Sequence, residues 1–201
     1  MEDQNTKQID GCQVVGPVSS PLIREGTGYG SGQVIVYTGQ GKGKTTAALG
    51  LMVRALGQGM KVGVVQFIKG KWMTGERRTA EQRFPDVAFK VMGKGFTWDS
   101  DDLDQDCQLA QRAWDEAHHM IHGGSYDVVI LDELTYVLHY GFVSVNAAVE
   151  SLRTRPPGVS VVVTGRLAPE PLMELADVVT EMQEVKHPFR KGQKAQRGLD
   201  Y

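Results

Sequence analysis

Residues 33–46 read QVIVYTGQGKGKTT, in which a β-branched strand runs into a glycine-rich turn and then into a helix-forming stretch. The glycines let the backbone turn successive N–H groups toward a bound anion. Lys44 supplies a positive charge for phosphate oxygens, and the hydroxyl of Thr45 is a suitable magnesium ligand. A glycine-rich turn without a ligand is the alternative, but the order of strand, turn, lysine, hydroxyl and helix favours a cradle for a nucleoside triphosphate.

The spacing of this loop departs from the usual pattern G-x-x-x-x-G-K-S/T. That pattern requires glycine at position 38, where Thr38 stands. The loop is therefore short or recessed by one residue, and we expect the phosphate chain to lie in it differently. The nucleotide-binding residues predicted in this stretch are Thr38, Gly39, Gln40, Gly41, Lys42, Gly43, Lys44, Thr45 and Thr46.

Further apolar runs, rich in valine and isoleucine, predict strands at residues 62–68, 87–92, 128–131, 159–163 and 178–182. Such runs indicate strands that are buried on both faces, as in a parallel sheet. Helices are predicted from Thr45 to Gln58 and from Asp102 to His122. We therefore expect an α/β fold: a doubly wound, mainly parallel sheet with helices on both faces, like the RecA-like P-loop NTPases. Binding sites should lie beyond the carboxyl ends of the strands.

The composition is that of one globular domain: 201 residues, 41% hydrophobic, with a net charge of −2. This charge predicts no general affinity for nucleic acid or membranes.

Residues 1–31 mix polar residues with Gly, Pro and Ser, so we expect a flexible arm that is either a tail or a cover for a ligand, with the domain at 32–201. No spanning or secretory segment is recognisable, so we expect a cytoplasmic protein in which Cys12 and Cys107 are reduced thiols.

Residues 126–133 read YDVVILDE, an apolar strand that ends in two acids. Such a strand is the expected partner of a phosphate loop, because its acids hold magnesium directly or through water. The predicted magnesium ligands are Thr45 with Asp132 or Glu133, and in a hydrolase Glu133 could instead polarise a water. An acidic end to a strand with no ligand is the alternative.

Two arginines are further candidates for phosphate contacts. Arg166 follows the run at 159–163 and a glycine, so its guanidinium could reach the nucleotide, although a structural salt bridge explains it nearly as well. Arg54, near the outward end of the first helix, is a weaker candidate.

Two other features allow both a structural and a functional interpretation. Phe96 and Trp98 lie on a glycine-flanked loop after the run at 87–92, where aromatic residues are either buried or face a ligand. His118 and His122 have the spacing of a shared metal site, but no third ligand is apparent and the helix dipole explains their position. We therefore predict no metal site there.

Several motifs together resemble the P-loop family of ATP:corrinoid adenosyltransferases. The resemblance runs from about residue 32 to the end of the chain, and the shortened loop is also typical of that family. Its motifs are residues 39–46 (GQGKGKTT), 95–98 (GFTW), 131–136 (LDELTY), 164–166 (TGR) and the tail from Val185 to Tyr201.

The resemblance implies a fold and an activity. ATP would bind with its triphosphate reversed relative to ordinary P-loop hydrolases. Co(I) of a corrinoid would then attack the ribose 5′ carbon and expel triphosphate, which makes adenosylcobalamin or a precursor. Phe96 and Trp98 would press on the lower corrin face and displace the axial base, and Glu133 would bind magnesium. Catalysis would then involve Lys44, Glu133, Phe96 and Trp98. The family also implies a homodimer and a reduced flavoprotein as electron donor.

Two other classes of function stay open at this point. An ATP hydrolase or a small-molecule kinase would use the same cradle but would release phosphate or transfer a phosphoryl group. A corrinoid-binding or ATP-sensing protein would show no turnover. The basic tail, with Lys186, Arg190, Lys191, Lys194 and Arg197, either holds ligand phosphate or is solvated surface.

Overall fold

The computed structural model of the chain describes residues 8–9, 12–13, 31–68, 70, 73–93 and 103–200. The strands are β1 (Gln8–Ile9), β2 (Cys12–Gln13), β3 (Val34–Thr38), β4 (Val62–Gln66), β5 (Ala88–Val91), β6 (Val128–Asp132), β7 (Ser160–Thr164) and β8 (Val178–Glu181). The helices are α1 (Lys44–Gly57), α2 (Gly75–Arg83), α3 (Leu103–His122), α4 (Leu134–His139), α5 (Val145–Arg153) and α6 (Glu170–Leu175).

Six strands form one sheet in the order β5-β4-β6-β7-β3-β8, and every neighbouring pair is parallel. The predicted doubly wound, parallel α/β fold is therefore confirmed. β1 and β2 pair antiparallel in a separate two-stranded sheet within the predicted arm. The flexibility of residues 1–31 stays a prediction.

The two faces of the sheet bury two separate cores. On β6, Val128 and Ile130 belong to the core that contains α1, whereas Val129 and Leu131 belong to the core that contains α3, α4 and α5. Successive residues of a strand point to opposite faces, so a continuous apolar run supplies both cores at once. This confirms the prediction of helices on both faces.

Burial on both faces does not extend to the edge of the sheet. All five residues of β4 and of β6 are buried, but all four residues of β8 are exposed, including Val178 and Val179. β8 pairs with β3 alone, so its apolar run does not have the two-sided burial that the sequence predicted for such runs. The ends of the predicted strands and helices differ from the observed ones by one or two residues.

Because the strands are parallel, the carboxyl ends of the central strands all lie at the same end of the sheet. Gln66, the last residue of β4, lies in register with Asp132, the last residue of β6. Thr164 at the end of β7 is likewise in register with Tyr37 of β3, two residues before Gly39, the first residue of the phosphate loop. Gln66, Asp132 and Thr164 therefore lie at the same end of the sheet as the phosphate loop. No helix in the described part of the chain is long and apolar enough to cross a lipid bilayer.

Candidate functional site

The loop between β3 and α1 is closely packed against the chain that follows β8. Gly39 and Gly43 have positive φ angles of 93° and 112°, which only glycine adopts readily. A Cβ atom on Gly39 would lie 2.5 Å from the carbonyl oxygen of Met182, and one on Gly41 would lie 2.6 Å from that of Gln183. The N–H of Gly41 also donates to the carbonyl of Met182 at 2.6 Å. The glycines are therefore required by this packing as well as by the turn.

Thr38, where the usual pattern has glycine, is the last residue of β3 and is buried. Its hydroxyl accepts a hydrogen bond from the N–H of Ala168 at 3.3 Å, and its carbonyl accepts one from the N–H of Met182 at 2.9 Å. Thr38 thus connects the loop to the segments after β7 and β8. The loop proper is the five residues from Gly39 to Gly43, which agrees with the shortened loop predicted from the sequence.

Lys44 begins α1 and is only 7% exposed. Its ammonium group donates to the carbonyl oxygens of Gly39 and Gly41, both at 2.7 Å, so it lies inside the loop. Burial lowers the pKa of Lys44; the carboxylates of Glu133 and Asp132 oppose this shift, and the guanidinium of Arg166 adds to it. A positive charge that is held in a partly desolvated loop is suited to an anionic ligand.

Asp132 connects the ends of three strands with α1. Its Oδ1 accepts hydrogen bonds from the hydroxyls of Thr45, at 2.8 Å, and Thr164, at 2.7 Å. Its Oδ2 accepts a hydrogen bond from Nε2 of Gln66 at 2.9 Å. Asp132 is 1% exposed, so these contacts satisfy a carboxylate that is nearly out of reach of bulk water. The structure thus brings the predicted residues Thr45 and Asp132 into direct contact.

Glu133 has a left-handed backbone conformation, with a φ of 63°, and precedes α4. This conformation costs a non-glycine residue about 1–2 kcal/mol. The N–H of Glu133 donates to the hydroxyl of Thr164 at 3.0 Å, which holds the turn in place. The neighbouring Gly165 must be glycine, since a Cβ there would lie 2.1 Å from Oγ1 of Thr135 and 3.2 Å from Oε2 of Glu133. Strain of this kind is common at functional sites.

Arg166 follows Gly165 and is exposed. Its carbonyl accepts a hydrogen bond from the hydroxyl of Thr135. The salt bridge that the sequence left open for Arg166 is not found among the described residues. The side chain instead lines the same cavity as Lys44 and Glu133.

One cavity of about 520 Å³ collects most of these groups. Its walls are Gly41–Thr46, the start of α2 at Gly75 and Glu76, the side chains of Glu133, Tyr136 and Arg166, and the C-terminal turn from Gly198 to Asp200. This volume is within the range of small-molecule and cofactor sites. Both basic side chains (Lys42, Lys44 and Arg166) and acidic ones (Glu76, Glu133 and Asp200) line the cavity, which suits a polyanion together with a cation.

Some predicted residues lie elsewhere. Arg54 is in the last turn of α1, ten residues beyond Lys44 and hence about 15 Å along the helix axis, and it does not line the cavity. Phe96 and Trp98 lie outside the described residues. His118 and His122 both contact the hydroxyl of Ser151 through a ring nitrogen, at 2.9 and 3.1 Å.

Sequence reasoning missed two parts of the site. Gln66 was not recognised, although it closes an apolar strand with a polar side chain just as Asp132 does. The C-terminal tail was recognised as a family motif and as basic, but not as a wall of the cavity in which its acid Asp200 forms an ion pair with Lys42 of the loop. No local signal places residue 200 beside residue 42, because that contact depends on the path of the whole tail.

Comparison with known proteins assigns the family. A family model described as ATP:corrinoid adenosyltransferase BtuR/CobO/CobP matches residues 30–201. The corrinoid adenosyltransferase of Escherichia coli (strain K12) is 48% identical over 170 residues, which are 85% of this chain and 86% of that protein. The corrinoid adenosyltransferase of Sinorhizobium sp. is 45% identical over 172 residues (85% and 80%), and that of Salmonella typhimurium (strain LT2) is 44% identical over 170 residues (85% and 86%). The chain therefore belongs to the ATP:corrinoid adenosyltransferase family, as its motifs predicted.

Proposed function

We propose that this protein transfers the 5′-deoxyadenosyl group of ATP to Co(I) of a corrinoid and releases inorganic triphosphate, in the biosynthesis or salvage of adenosylcobalamin. The relatives' names support a transferase that acts on corrinoids. The observation that carries the proposal is the cavity that joins the loop lysines, Arg166 and Glu133 in one place. In the reaction, the electron pair of Co(I) forms the cobalt–carbon bond, and the bond between C5′ and oxygen breaks with its electrons on the leaving triphosphate.

No protein nucleophile is needed in this reaction, because the substrate cobalt makes the new bond. The tasks left to the chain are to align the two substrates and to stabilise negative charge on the leaving group. Lys44 would serve the second task from inside the loop, where its ammonium group now contacts two carbonyls. A triphosphate oxygen would take over part of this coordination and favour the charged form of Lys44, against the effect of burial on its pKa.

Lys42 and Arg166 would bind the phosphates from the rim of the cavity. Lys42 is paired with Asp200 in this structure, so the triphosphate must compete with a carboxylate of the chain itself for this lysine. Exposed ion pairs are weak, so a polyanion can displace this one. The short loop after Thr38 is the feature we connect with a reversed triphosphate.

Magnesium suits the oxygen atoms at the end of β6, where Thr45 and Glu133 line the cavity and Asp132 lies behind Thr45. The hydroxyl of Thr45 and Oδ1 of Asp132 lie 2.8 Å apart, and Glu133 adds a carboxylate from a turn that is held by the hydrogen bond of its N–H to Thr164. Oxygen ligands of this kind are those that magnesium prefers. When bound, magnesium would neutralise charge on the triphosphate. Thr45, Asp132 and Glu133 are the residues that we propose to hold it.

The corrinoid would approach from the side of β5. Gly93 follows this strand at the same edge of the sheet, and a Cβ on it would lie 2.4 Å from the carbonyl carbon of Ile68, so β5 is held closely against the end of β4. Phe96 and Trp98, outside the described residues, come next in the chain. We propose, from the family resemblance, that they replace the lower axial base of the corrinoid. An axial donor stabilises the higher oxidation state of cobalt, so its loss makes Co(II) easier to reduce.

The same resemblance supports two further parts of the proposal. A homodimer would be the working form, and a reduced flavoprotein would deliver the electron to Co(II). We also propose that the reaction takes place in the cytoplasm.

The magnesium assignment predicts a specific effect of Glu133→Gln. The substitution keeps the size of the side chain and the backbone strain but removes the charge, so we expect the magnesium concentration for half-maximal adenosylation to rise about tenfold or more. Rates should be measured over a magnesium titration. Glu76→Gln is the matched control, since Glu76 lines the same cavity from α2. Equal rates for Glu133→Gln and the unaltered protein at both limiting and saturating magnesium would contradict the role of Glu133.

A further inference from the structure

We propose that Gln66 is a positioning residue for magnesium-dependent nucleotide binding, which it supports by holding the carboxylate of Asp132. The inference rests on the proposed function, because it takes Asp132 as part of the magnesium site. Gln66 ends β4 and is 1% exposed, and its Nε2 donates to Oδ2 of Asp132 at 2.9 Å. Neither Gln66 nor Asp132 lines the nucleotide cavity, but Asp132 contacts Thr45, which does line it, so Gln66 acts through Asp132 and not on the ligand.

The orientation of the Gln66 amide follows from hydrogen-bond chemistry. The carboxylate of Asp132 only accepts hydrogen bonds, and both of its oxygens already have hydroxyl or amide donors. The NH₂ group of Gln66 must therefore face Oδ2, since the reverse orientation would bring two acceptors together. The two oxygens of Asp132 therefore have different partners. Oδ2 accepts the hydrogen bond from Gln66, and Oδ1 accepts those from the hydroxyls of Thr45 and Thr164.

The other end of the amide argues against a role in stability alone. Oε1 of Gln66 is buried, and no described residue donates a hydrogen bond to it. A buried acceptor without a donor destabilises a fold, and an apolar side chain of the same length would avoid that penalty. The amide at this position is thus best explained by what its NH₂ group does for Asp132.

The backbone around Gln66 makes it a rigid support. Its carbonyl accepts a hydrogen bond from the N–H of Met92 at the end of β5, at 3.0 Å, and the next residue, Phe67, donates its N–H to the carbonyl of Asp132 at 3.0 Å. Gln66 and Asp132 are also register partners in the parallel ladder. The side-chain contact therefore joins two strand ends that are already fixed by backbone hydrogen bonds on both sides.

The test separates magnesium-dependent from magnesium-independent binding. Gln66→Met keeps the length of the side chain and removes the donor. We expect the dissociation constant for ATP in magnesium to rise about 10- to 100-fold, the usual effect of losing a residue that orients a metal ligand. In EDTA the constant should change by less than about twofold, because the loop contacts to phosphate do not involve Gln66. Calorimetry without corrinoid measures both constants.

Two further variants keep the result interpretable. Val64→Ala, two residues earlier on β4 and fully buried, should lower the melting temperature but leave the ratio of the two constants unchanged. Gln66→Glu retains the shape but sets a carboxylate against Asp132, and should reproduce the loss in magnesium if the methionine variant does not fold. The proposal would be overturned if the Gln66 variant that folds had the same ratio of the two dissociation constants as the unaltered protein. An equal rise of both constants, in magnesium and in EDTA, would overturn it in the same way. If the unaltered protein gains no ATP affinity from magnesium, the magnesium assignment itself fails instead.

Discussion

Replacing Lys44 with methionine is expected to lower adenosyl transfer by at least about 100-fold, the typical effect of removing one donor that stabilises developing negative charge. The affinity for ATP should fall about 10-fold or more, because a charged hydrogen bond to phosphate contributes about 1.5–3 kcal/mol. Methionine preserves the length of the buried stem, so the loss reports on the charge and not on a cavity. Initial rates with chemically reduced cob(I)alamin and calorimetry with ATP measure the two effects.

Lys42→Met is the matched control for this experiment. Lys42 lies in the same loop but is half exposed and is paired with Asp200, whereas Lys44 is buried against the loop carbonyls. For Lys42→Met we expect the rate of adenosyl transfer and the affinity for ATP each to fall by less than about tenfold, as is usual for exposed charges. If Lys44→Met retained both affinity and rate, the loop would not be a triphosphate cradle.

The second large effect is expected from the double substitution Phe96→Ala with Trp98→Ala. ATP binding should be unchanged, since the proposed site of these residues is the corrin face. The yield of four-coordinate Co(II) corrinoid should fall about tenfold or more, because truncating an aromatic residue that dominates a binding site costs about 2 kcal/mol or more. Electron paramagnetic resonance or magnetic circular dichroism of the Co(II) corrinoid in the presence of ATP gives this yield directly.

Supplying the double variant with cobalt that is already reduced is the decisive control. If the aromatic pair serves reduction, chemically prepared cob(I)alamin should restore most of the turnover. Equal losses with Co(II) and Co(I) would instead assign the pair to corrinoid binding in general. A normal yield of four-coordinate Co(II) in the double variant would remove these residues from the mechanism.

The fold was largely predictable because its local signals agree with one another. The valine-rich runs at β4, β6 and β7 have a composition that suits burial on both faces of a sheet, and the glycines after β3 favour a turn. β8 carries the same kind of run but lies at the edge of the sheet, where its valines are exposed. Strand order is a property of the whole chain, and a run of residues does not encode its neighbours.

The site residues were predictable where a charged or hydroxyl side chain directly follows the glycine-rich turn or ends a strand. Lys44 and Thr45 follow the glycines directly, and Asp132 ends a strand, so their meeting at one sheet edge follows from parallel topology. Gln66 has the same position on the neighbouring strand, but an amide is a weaker signal than a carboxylate. The contact of Asp200 with Lys42 joins residues 158 positions apart and required the structure.

The most direct test of the proposed reaction is its stoichiometry. Purified protein should be incubated without oxygen with ATP, magnesium and cob(I)alamin, with absorbance following the cobalt–carbon product and chromatography identifying the phosphate compound released. We predict one inorganic triphosphate for each adenosylcobalamin formed, since only attack at C5′ releases the three phosphates as one unit. Unchanged cob(I)alamin together with ADP or orthophosphate would contradict adenosyl transfer and indicate a hydrolase or a kinase.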